Sequence, residues 1–555
     1  MKINRHVLLL SGLLFMTLQV SAAQTPVLFF SDLISAPGTG WSSQEPNKGA
    51  AVSIWGKNLG DSRGDNYVTV GGVRMSVDSD YAEPWGETGK PIRNLQRITF
   101  HLNNSVPQGM QNVTVTVDSA VSNALTLNVT QKEIYFVDAN AGGGGDAGSH
   151  QDPWTSMKSF VQVMTPGDVV YVKGTFSDSI LGGQQVLYFN DNRTSGTLQD
   201  PIGWVAYPGA QAILDTANTG SSVNGAFVIS NNYMTIAGWT IHSRSSGING
   251  AGKGIRAIGN EVTGPTVSSS GTGSIVVKGD NSEVLGNYIH GATSANRLDH
   301  GIYVNGCMPN VGAVVAYNHI EDHNVAEGPL IVVNHQQNRC PSSVRLASHY
   351  IHSNFVDCSG YPSRGIGIYD QSWDGAPEQE PEPTYVYNNF VASCGIDATW
   401  PAMYQNSAKV AWYNNTVYNG VGKGLGIKSA DRVIWTKVKN NIFHMQPGST
   451  YYINHVDGTP YIENNLYFGA GEEPPAVDIS PIELDPAISY DTLSLTLSVS
   501  SEVEGRGIFD SDITSVVKRD ISGNLRPTPV SLGAKDRGVP QPEPPQALTI
   551  SIPET

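Results

Sequence analysis

The sequence predicts an all-β chain in which a small immunoglobulin-like β-sandwich precedes a parallel β-helix. The first observation is that a short phrase with a central asparagine recurs between residues 259 and 468, at spacings of 24 to 36 residues. The second is a composition with 60 glycines and only 15% charged residues, which suits a turn-rich β protein. The recurring asparagines are Asn260, Asn287, Asn318, Asn354, Asn389, Asn415, Asn441 and Asn465.

The asparagine phrase has the length of one repeat of a solenoid. Short runs of β-branched and aromatic residues, broken by Gly, Asn, Asp and Ser, favour strands over helix pairs. We therefore interpret each repeat as one coil and the asparagine as an inward-bent corner. The side-chain amide of each asparagine can form a hydrogen bond to the equivalent asparagine one coil away. We therefore expect a ladder of hydrogen bonds with a structural role.

The charge of the chain limits its partners. The sequence has 33 Lys and Arg residues against 49 Asp and Glu residues, a net charge of −16. This balance excludes nucleic acid as an expected partner. An acidic substrate would need a local basic site or a bound cation.

The first residues have the pattern of a secretory signal peptide. Lys2 and Arg5 precede an apolar run over residues 7–20, and small residues lead to a cleavage site near Ala23. We expect a secreted or periplasmic protein, with no membrane span because no later apolar run approaches about 20 residues. We also expect a monomer.

Export would allow the four cysteines to form disulfides. Cys358 and Cys394 follow the asparagines of adjacent coils by four and five residues, so they lie at similar heights in their coils. We pair these two, which leaves Cys307 and Cys340 as a second disulfide between neighbouring loops.

Residues 24–131 form the predicted sandwich. Five or more short alternating strands lie between turn signals, among them 51–60, 67–73 and 113–117. The Gly-rich second strand, the Pro107-Gln-Gly109 turn and the closing phrase that begins at Ser122 resemble the IPT/TIG immunoglobulin-like domain. The resemblance implies a spacer or binding module without chemistry.

Residues 134–538 form the predicted β-helix domain. A short amphipathic helix over residues 156–164 is expected to cap its first coil. The phrases 166–174 and 195–202 resemble those of secreted right-handed β-helix proteins of the pectate-lyase-like superfamily. That resemblance implies an enzyme that degrades polysaccharides, either a lyase or a hydrolase. Residues 539–555 are expected to be a Pro-rich tail.

The strands that follow successive corners place candidate site residues in columns, because outward side chains of stacked coils lie about 4.8 Å apart. One predicted column holds Lys278, Asn305, Asn334, Asp370, Gln405, Lys428 and Asn454, with Tyr303 beside it. The preceding turns bring Asp299, His300, Glu327 and Arg364 close to it. The candidate substrate-binding residues are Tyr303, Asn305, Asn334, His335, Trp373 and Tyr404.

The favoured chemistry is β-elimination of a uronate-containing polysaccharide. It requires neutralisation of the substrate carboxylate by Arg364, or by a Ca²⁺ ion held by Asp299, Glu327 and Asp370. It also requires a base, for which the candidates are His300, Lys428 and Tyr303. Neighbouring carboxylates stabilise the protonated form of a lysine, which favours His300 over Lys428.

Two alternatives remain open from the sequence. A glycoside hydrolase would use two carboxylates of Asp299, Glu327 and Asp370, about one to two coils apart. A non-catalytic carbohydrate-binding or adhesin solenoid would need only the aromatic side chains that are frequent in these coils.

Overall fold

A computed structural model describes most of the chain, with gaps at the N-terminus, at the C-terminus and in several loops. The predicted signal peptide, the Pro-rich tail and Trp373 lie outside the described residues. The described residues are 25–86, 95–142, 147–177, 187–189, 195–217, 225–267, 273–335, 340, 344–370, 380–397, 399–428, 433–455, 460–469, 473–492 and 495–536.

The N-terminal part is a sandwich of two sheets. Alternating apolar residues from both sheets, among them Ile54, Phe100 and Val115, are fully buried between them. A short 3₁₀ helix, Asp78–Asp80, follows the hairpin formed by Tyr67–Val70 and Val73–Arg74. One sheet contains Val27–Ser31, Lys48–Lys57 and Gln96–Asn103, all antiparallel. The other contains Ser35–Pro37, Leu125–Thr130, Gly109–Val117, Tyr67–Val70 and Val73–Arg74, with Ala120–Val121 paired to Gly109–Val117.

The rest of the chain forms a parallel β-helix with three sheets, as the sequence predicts. Sheet I precedes the asparagine corner, sheet II follows it, and sheet III closes each coil. Sheet I contains Ile134–Asp138, Val169–Ser177, Ile202–Ala206, Met234–Ala237, Arg256–Ile258, Glu283–Leu285, Val314–Ala316, Tyr350–His352, Thr384–Tyr387, Lys409–Tyr413, Trp435–Lys439 and Tyr461–Glu463.

Every pairing between adjacent coils is parallel, and the end of Val169–Ser177 continues into sheet II. Sheet II contains Ala212–Asp215, Thr240–His242, Glu261–Thr263, Tyr288–His290, His319–Ile320, Phe355–Asp357, Phe390–Ala392, Thr416–Gly420, Ile442–Met445, Leu466–Gly469 and Ile482–Glu483. Sheet III contains Leu187–Phe189, Phe227–Ile229, Ile248–Gly250, Gly273–Val277, His300–Gly306, Pro329–His335, Arg364–Asp370, Met403–Asn406, Lys423–Ile427 and Tyr451–His455.

The asparagine ladder is confirmed. All eight corner asparagines are fully buried, and each Nδ2 from Asn260 to Asn441 donates to the Oδ1 of the next at 2.9–3.0 Å. The residue before each corner is left-handed, with φ of 62° at Gly259 and 59° at Tyr317. This conformation makes the tight turn that directs the amide inward.

A helix, Met157–Val163, covers the first coil, as predicted. Ser156 caps its N-terminus by accepting a hydrogen bond from the Lys158 N–H at 3.3 Å. Met157 and Phe160 are fully buried in the solenoid core. The helix therefore shields apolar groups that the first coil would otherwise expose.

The C-terminal segment runs back over the outer faces of the last coils. A hairpin of Ser489–Asp491 and Thr496–Ser498 packs Leu495 and Leu497 on Phe355 and Phe390 of sheet II. A short helix, Ser511–Thr514, places Ile513 on Ala411 and Tyr413 of sheet I. These contacts leave the outer face of sheet III uncovered by this segment.

The sandwich docks on the outer face of sheet I. The buried Arg256 donates to the carbonyls of Ser31 and Asp32 and pairs with Glu283 at 2.7 Å. Tyr171 donates its hydroxyl hydrogen to the Ala51 carbonyl at 2.7 Å. Because these bonds are buried, they hold the two domains in one orientation.

Both predicted disulfides are present. Cys358 bonds to Cys394 and Cys307 bonds to Cys340, with sequence separations of 36 and 33 residues. Cys358 and Cys394 lie in the solenoid core, whereas Cys340 is only partly buried. Within the described part of the chain, no helix is long and apolar enough to span a bilayer.

We expect the core disulfide to contribute more stability than the loop disulfide. The two disulfides close loops of nearly equal length. Each is therefore expected to stabilise the fold by about 3–4 kcal/mol by reducing the chain entropy of the unfolded state. The double variant Cys358→Ala/Cys394→Ala also removes buried sulfur atoms and should lose at least about 1 kcal/mol more than Cys307→Ala/Cys340→Ala. Denaturant unfolding of both variants measures the difference, and equal losses would contradict the expectation.

Candidate functional site

The outer face of sheet III is the candidate site. Ile302 and Val304 point into the solenoid core, so the alternate residues Tyr303 and Asn305 point outward. Parallel pairing continues this alternation through the next coils. The face therefore presents columns of side chains from several adjacent coils.

The strand register corrects part of the predicted column. Asn305 pairs with Asn334, and Asn334 pairs with Tyr369, not with Asp370. Asp370 lies one residue further and pairs with His335, so its side chain has the opposite orientation.

Two further members of the predicted column also lie elsewhere. Gln405 points into the core, where its Oε1 accepts from Trp412 Nε1 at 3.1 Å. Asn454 pairs with Gly426, in the column that contains Tyr303 and Tyr404.

Arg364 lies at the start of its strand with its side chain 7% exposed. Its Nε donates to the Glu327 carbonyl at 2.8 Å, and its Nη1 donates to the Tyr369 hydroxyl at 2.7 Å. The guanidinium carbon lies 4.5 Å from the centre of the Trp400 ring and 5.7 Å from that of Tyr404. These contacts hold the planar group in one orientation on the face.

Among the residues that the structure describes, the contacts of the Arg364 guanidinium are a carbonyl, a hydroxyl and aromatic rings, and none is a carboxylate. A buried cation without a counter-ion is costly, and an anionic ligand would reduce that cost. Tyr369 is held neutral beside it, because burial raises the pKa of its hydroxyl to about 12. Arg364 is therefore positioned to bind an anionic group on this face.

His300 lies two coils before Arg364 in the same register position. Its Nδ1 donates to the Pro329 carbonyl at 2.7 Å, which leaves Nε2 as the unprotonated acceptor. Burial, with a smaller contribution from the Arg364 charge, lowers the pKa of His300 to about 4. The imidazole is therefore neutral at neutral pH, with an unprotonated Nε2, and is a weaker base than an exposed histidine.

Tyr303 connects His300 to the outward column. Its ring contacts the His300 ring with centroids 5.2 Å apart, and its hydroxyl accepts from Asn334 Nδ2 at 3.1 Å. Because the hydroxyl accepts that bond, its own hydrogen remains available to a ligand. Asn305 Oδ1 is a buried acceptor without a hydrogen-bond partner among the described residues.

Three predicted site residues are buried away from this face. The side chains of Asp299 and Asp370 are fully buried, and His335 is 1% exposed. The His335 ring lies between Ser407 and Thr384, at 3.4 and 3.3 Å from their hydroxyls. The carboxylates and the imidazole thus belong to the interior of the coils, where a polymer cannot reach them without rearrangement.

The predicted calcium ligands do not form a calcium site together. Glu327 is exposed, whereas Asp299 and Asp370 are fully buried. Within the described ranges, no group of three or more His, Cys, Asp or Glu side chains is placed to hold a metal ion. Lys428 is exposed and lies two coils beyond Arg364.

The sequence alone did not assign Tyr369 and Trp400 to the Arg364 environment. The alternation of Ile366 and Ile368, which matches Ile331 and Val333 in the preceding coil, would have placed Tyr369 outward. Trp400 approaches through a turn, so no strand pattern predicts its contact with Arg364. The assembled face offers a fixed cation, a neutral base and aromatic rings.

Comparisons with known proteins give similarity to solved structures only. No protein-family model matches the chain, and no curated protein matches it in sequence. A structure of XylC in complex with xylose has 11% identity, with a TM-score of 0.47, and covers 72% of this chain and 98% of its own. The pectate lyase Pel9A has 16% identity, with a TM-score of 0.41, and the covered shares are 73% and 96%.

A rhamnogalacturonan lyase has 14% identity to this chain, with a TM-score of 0.28. The alignment covers 72% of this chain and 95% of that protein. At these identities and scores, the assignment of the parallel β-helix rests on the strand pairing of this chain itself.

Proposed function

We propose that the outer face of sheet III binds an acidic, uronate-containing polysaccharide and cleaves it by β-elimination. The observation that carries this proposal is Arg364, a buried guanidinium flanked by aromatic rings, with no carboxylate partner among the described residues. In a chain with a net charge of −16, such a position selects an anionic group by local contact and not by long-range attraction.

In the proposed reaction, Arg364 binds the uronate carboxylate through its remaining N–H groups. Neutralising that carboxylate makes the hydrogen on the adjacent ring carbon more acidic. Tyr369 and the Glu327 carbonyl act as positioning groups, since they fix the orientation of the guanidinium. Trp400 and Tyr404 supply apolar surface for the sugar rings.

His300 Nε2 then takes the proton from the ring carbon next to the carboxylate. The electron pair of the broken C–H bond forms a carbon–carbon double bond, and the bond to the glycosidic oxygen breaks. The Tyr303 hydroxyl donates a proton to that oxygen. His300 and Arg364 are separated by two coils, about 9–10 Å, so one sugar residue and its carboxylate fit between them.

The hydrolase alternative has weaker support on this face. Of Asp299, Glu327 and Asp370, only Glu327 is exposed, whereas hydrolysis requires two accessible carboxylates. We also propose that the protein acts outside the cytoplasm. The two disulfides are compatible with an oxidising compartment, and the predicted signal peptide would deliver the chain there.

We expect Arg364→Ala to lower kcat/KM on a uronate polymer by at least about 100-fold, the usual loss when a group that stabilises developing charge is removed. His300→Ala should abolish turnover, and Tyr369→Phe should lose about 10-fold because the guanidinium loses one positioning bond. Ultraviolet absorbance of the conjugated double bond measures the rate on a panel of uronate polymers.

The matched control for this test is Arg345→Ala. Arg345 is exposed, pairs with Glu382 at 3.6 Å and lies outside the strands of sheet III, so its loss should leave the rate unchanged. New reducing ends without ultraviolet absorbance would contradict elimination and favour hydrolysis. Retention of a polymer on an affinity gel without any cleavage would favour the binding module.

A further inference from the structure

Two glycines interrupt a column of larger side chains on the sheet III face. Strand pairing gives one residue of this column per coil, in the order Tyr303, Val332, Gly367, Tyr404, Gly426 and Asn454. Both glycines are buried inside strands, and neither has a positive φ. The backbone at these positions would accept other residues, and glycine weakens the interior of a strand, so the missing side chains need another reason.

At Gly367 the reason is the ring of Tyr369. A Cβ atom at position 367 would lie 2.6 Å from Cε2 of Tyr369 and 3.1 Å from its hydroxyl oxygen. The first distance is shorter than two carbon atoms tolerate without a shift. The tyrosine ring therefore occupies the space that a side chain at position 367 would fill. In that place its hydroxyl accepts the hydrogen bond from Arg364 Nη1 at 2.7 Å.

At Gly426 the reason is Pro401, which directly follows Trp400 in the chain. A Cβ atom at position 426 would lie 2.7 Å from Cγ of Pro401. Pro401 is buried and has a rigid ring, so it cannot turn aside as a long side chain could. The missing side chain thus lets this turn approach the sheet, where the centre of the Trp400 ring lies 4.5 Å from the guanidinium carbon of Arg364.

We propose that Gly367 and Gly426 are positioning residues for Arg364. Gly367 admits the tyrosine that bonds the guanidinium, and Gly426 admits the turn whose tryptophan stacks on it. The inference rests on the proposed function in one respect, because it takes Arg364 as the group that binds the substrate carboxylate. A displacement of about 1 Å in a binding group can lower a rate by about 100-fold, so one added methyl group is enough to be measured.

The first test compares glycine-to-alanine variants by kcat/KM on the uronate polymer. Gly367→Ala should lose about 10-fold, the loss expected for Tyr369→Phe, because the methyl group displaces the tyrosine ring. Gly142→Ala is the matched control and should keep the full rate. Gly142 is exposed without a positive φ, and a Cβ atom there would meet no atom within 4 Å beyond its neighbours in the chain. Thermal unfolding checks that each variant is folded.

Removing the displaced group should remove the effect of the added methyl group. Without the tyrosine ring there is space at position 367, so Gly367→Ala/Tyr369→Ala should match Tyr369→Ala within about 2-fold. Gly426→Ala should lose about 3-fold or more by itself and little more when combined with Trp400→Ala. Losses that multiply in the double variants, or a full rate in either single glycine variant, would overturn the inference.

A spectroscopic measurement separates this inference from the proposed cleavage. The Arg364 Nε–H donates to the Glu327 carbonyl and should give an NMR resonance in the ¹⁵N-labelled chain that Arg364→Lys removes. We expect this resonance to shift in Gly367→Ala and Gly426→Ala and to stay in place in Gly142→Ala. If the unmodified chain cleaves no uronate polymer, the proposed function fails, and these shifts still decide whether the glycines position the guanidinium. An unchanged resonance in both glycine variants would overturn the inference.

Discussion

Replacing Asn354 by alanine is expected to destabilise the protein by about 4 kcal/mol. Asn354 Oδ1 accepts from the backbone N–H and the Nδ2 of Asn318, and its Nδ2 donates to the Val315 carbonyl and to Asn389 Oδ1. The substitution leaves several of these fully buried groups without a partner, each at about 1–3 kcal/mol. Urea unfolding followed by circular dichroism measures the loss.

The effect should depend on the ladder and not on the loss of an amide. Asn249→Ala is the control, since Asn249 is half-buried on a sheet III strand and outside the ladder. Its substitution should change the unfolding free energy by no more than about 0.5 kcal/mol. Similar losses at both positions would show that the corner amides contribute no special stability.

Acidification from pH 6.5 to pH 4 is expected to destabilise the folded chain strongly. Burial lowers the pKa of five histidines to about 4 and that of a sixth further. The six residues are His101, His300, His323, His335, His349 and His352.

In the unfolded chain these imidazoles bind protons below about pH 6.5. The unfolded state therefore binds more protons than the folded state between pH 6.5 and 4, and stability falls as the pH falls through that window. Each histidine with a folded-state pKa of about 4 contributes about 3 kcal/mol. The combined contribution of two such histidines already falls within the typical range of the free energy of unfolding, about 5–15 kcal/mol.

Asp32 opposes this trend only in part. Burial raises its pKa to about 6, so the folded state gains stability from this group as the pH falls from 6 towards 3.8. One carboxyl group offsets about one histidine. Thermal unfolding between pH 8 and pH 4 should therefore show a Tm that is flat above pH 7 and falls steeply below it.

A single histidine can be tested by His352→Phe, which keeps the stacking on Tyr387 but cannot bind a proton. The dependence of Tm on pH should become shallower in this variant. His242→Phe is the control, because the side chain of His242 is 43% exposed. A Tm that is constant from pH 7 to pH 4, or equal slopes in both variants, would contradict the assignment.

The sequence predicted the features of this fold that repeat along the chain. The corner asparagines, the coil length and the Cys358–Cys394 pairing all follow from one period, because stacked coils bring equivalent positions together. The N-terminal cap followed from the apolar face of a short helical segment ending near Met164. These features depend on contacts within one coil or between equivalent positions of adjacent coils, and the repeat length is enough to identify those positions.

The candidate site could be predicted from the sequence only in part. His300, Tyr303, Asn334 and Arg364 were candidates from the sequence and lie on one face, but Asp370 proved to be buried. Side chains in a strand alternate between faces, so an error of one residue in alignment turns a core residue into an apparent site residue. The loop lengths between coils vary, and a repeat length therefore does not define the register to one residue.

The tertiary structure alone decided the contacts that cross long stretches of chain. Arg256 bonds to carbonyls 224 and 225 residues away, and Trp400 reaches Arg364 from a turn in the next coil. Such contacts depend on how two folded surfaces dock and on where a turn bends, and no local pattern of residue types encodes either. The repeating residues thus determined the solenoid, whereas domain docking and turn geometry determined which distant side chains meet.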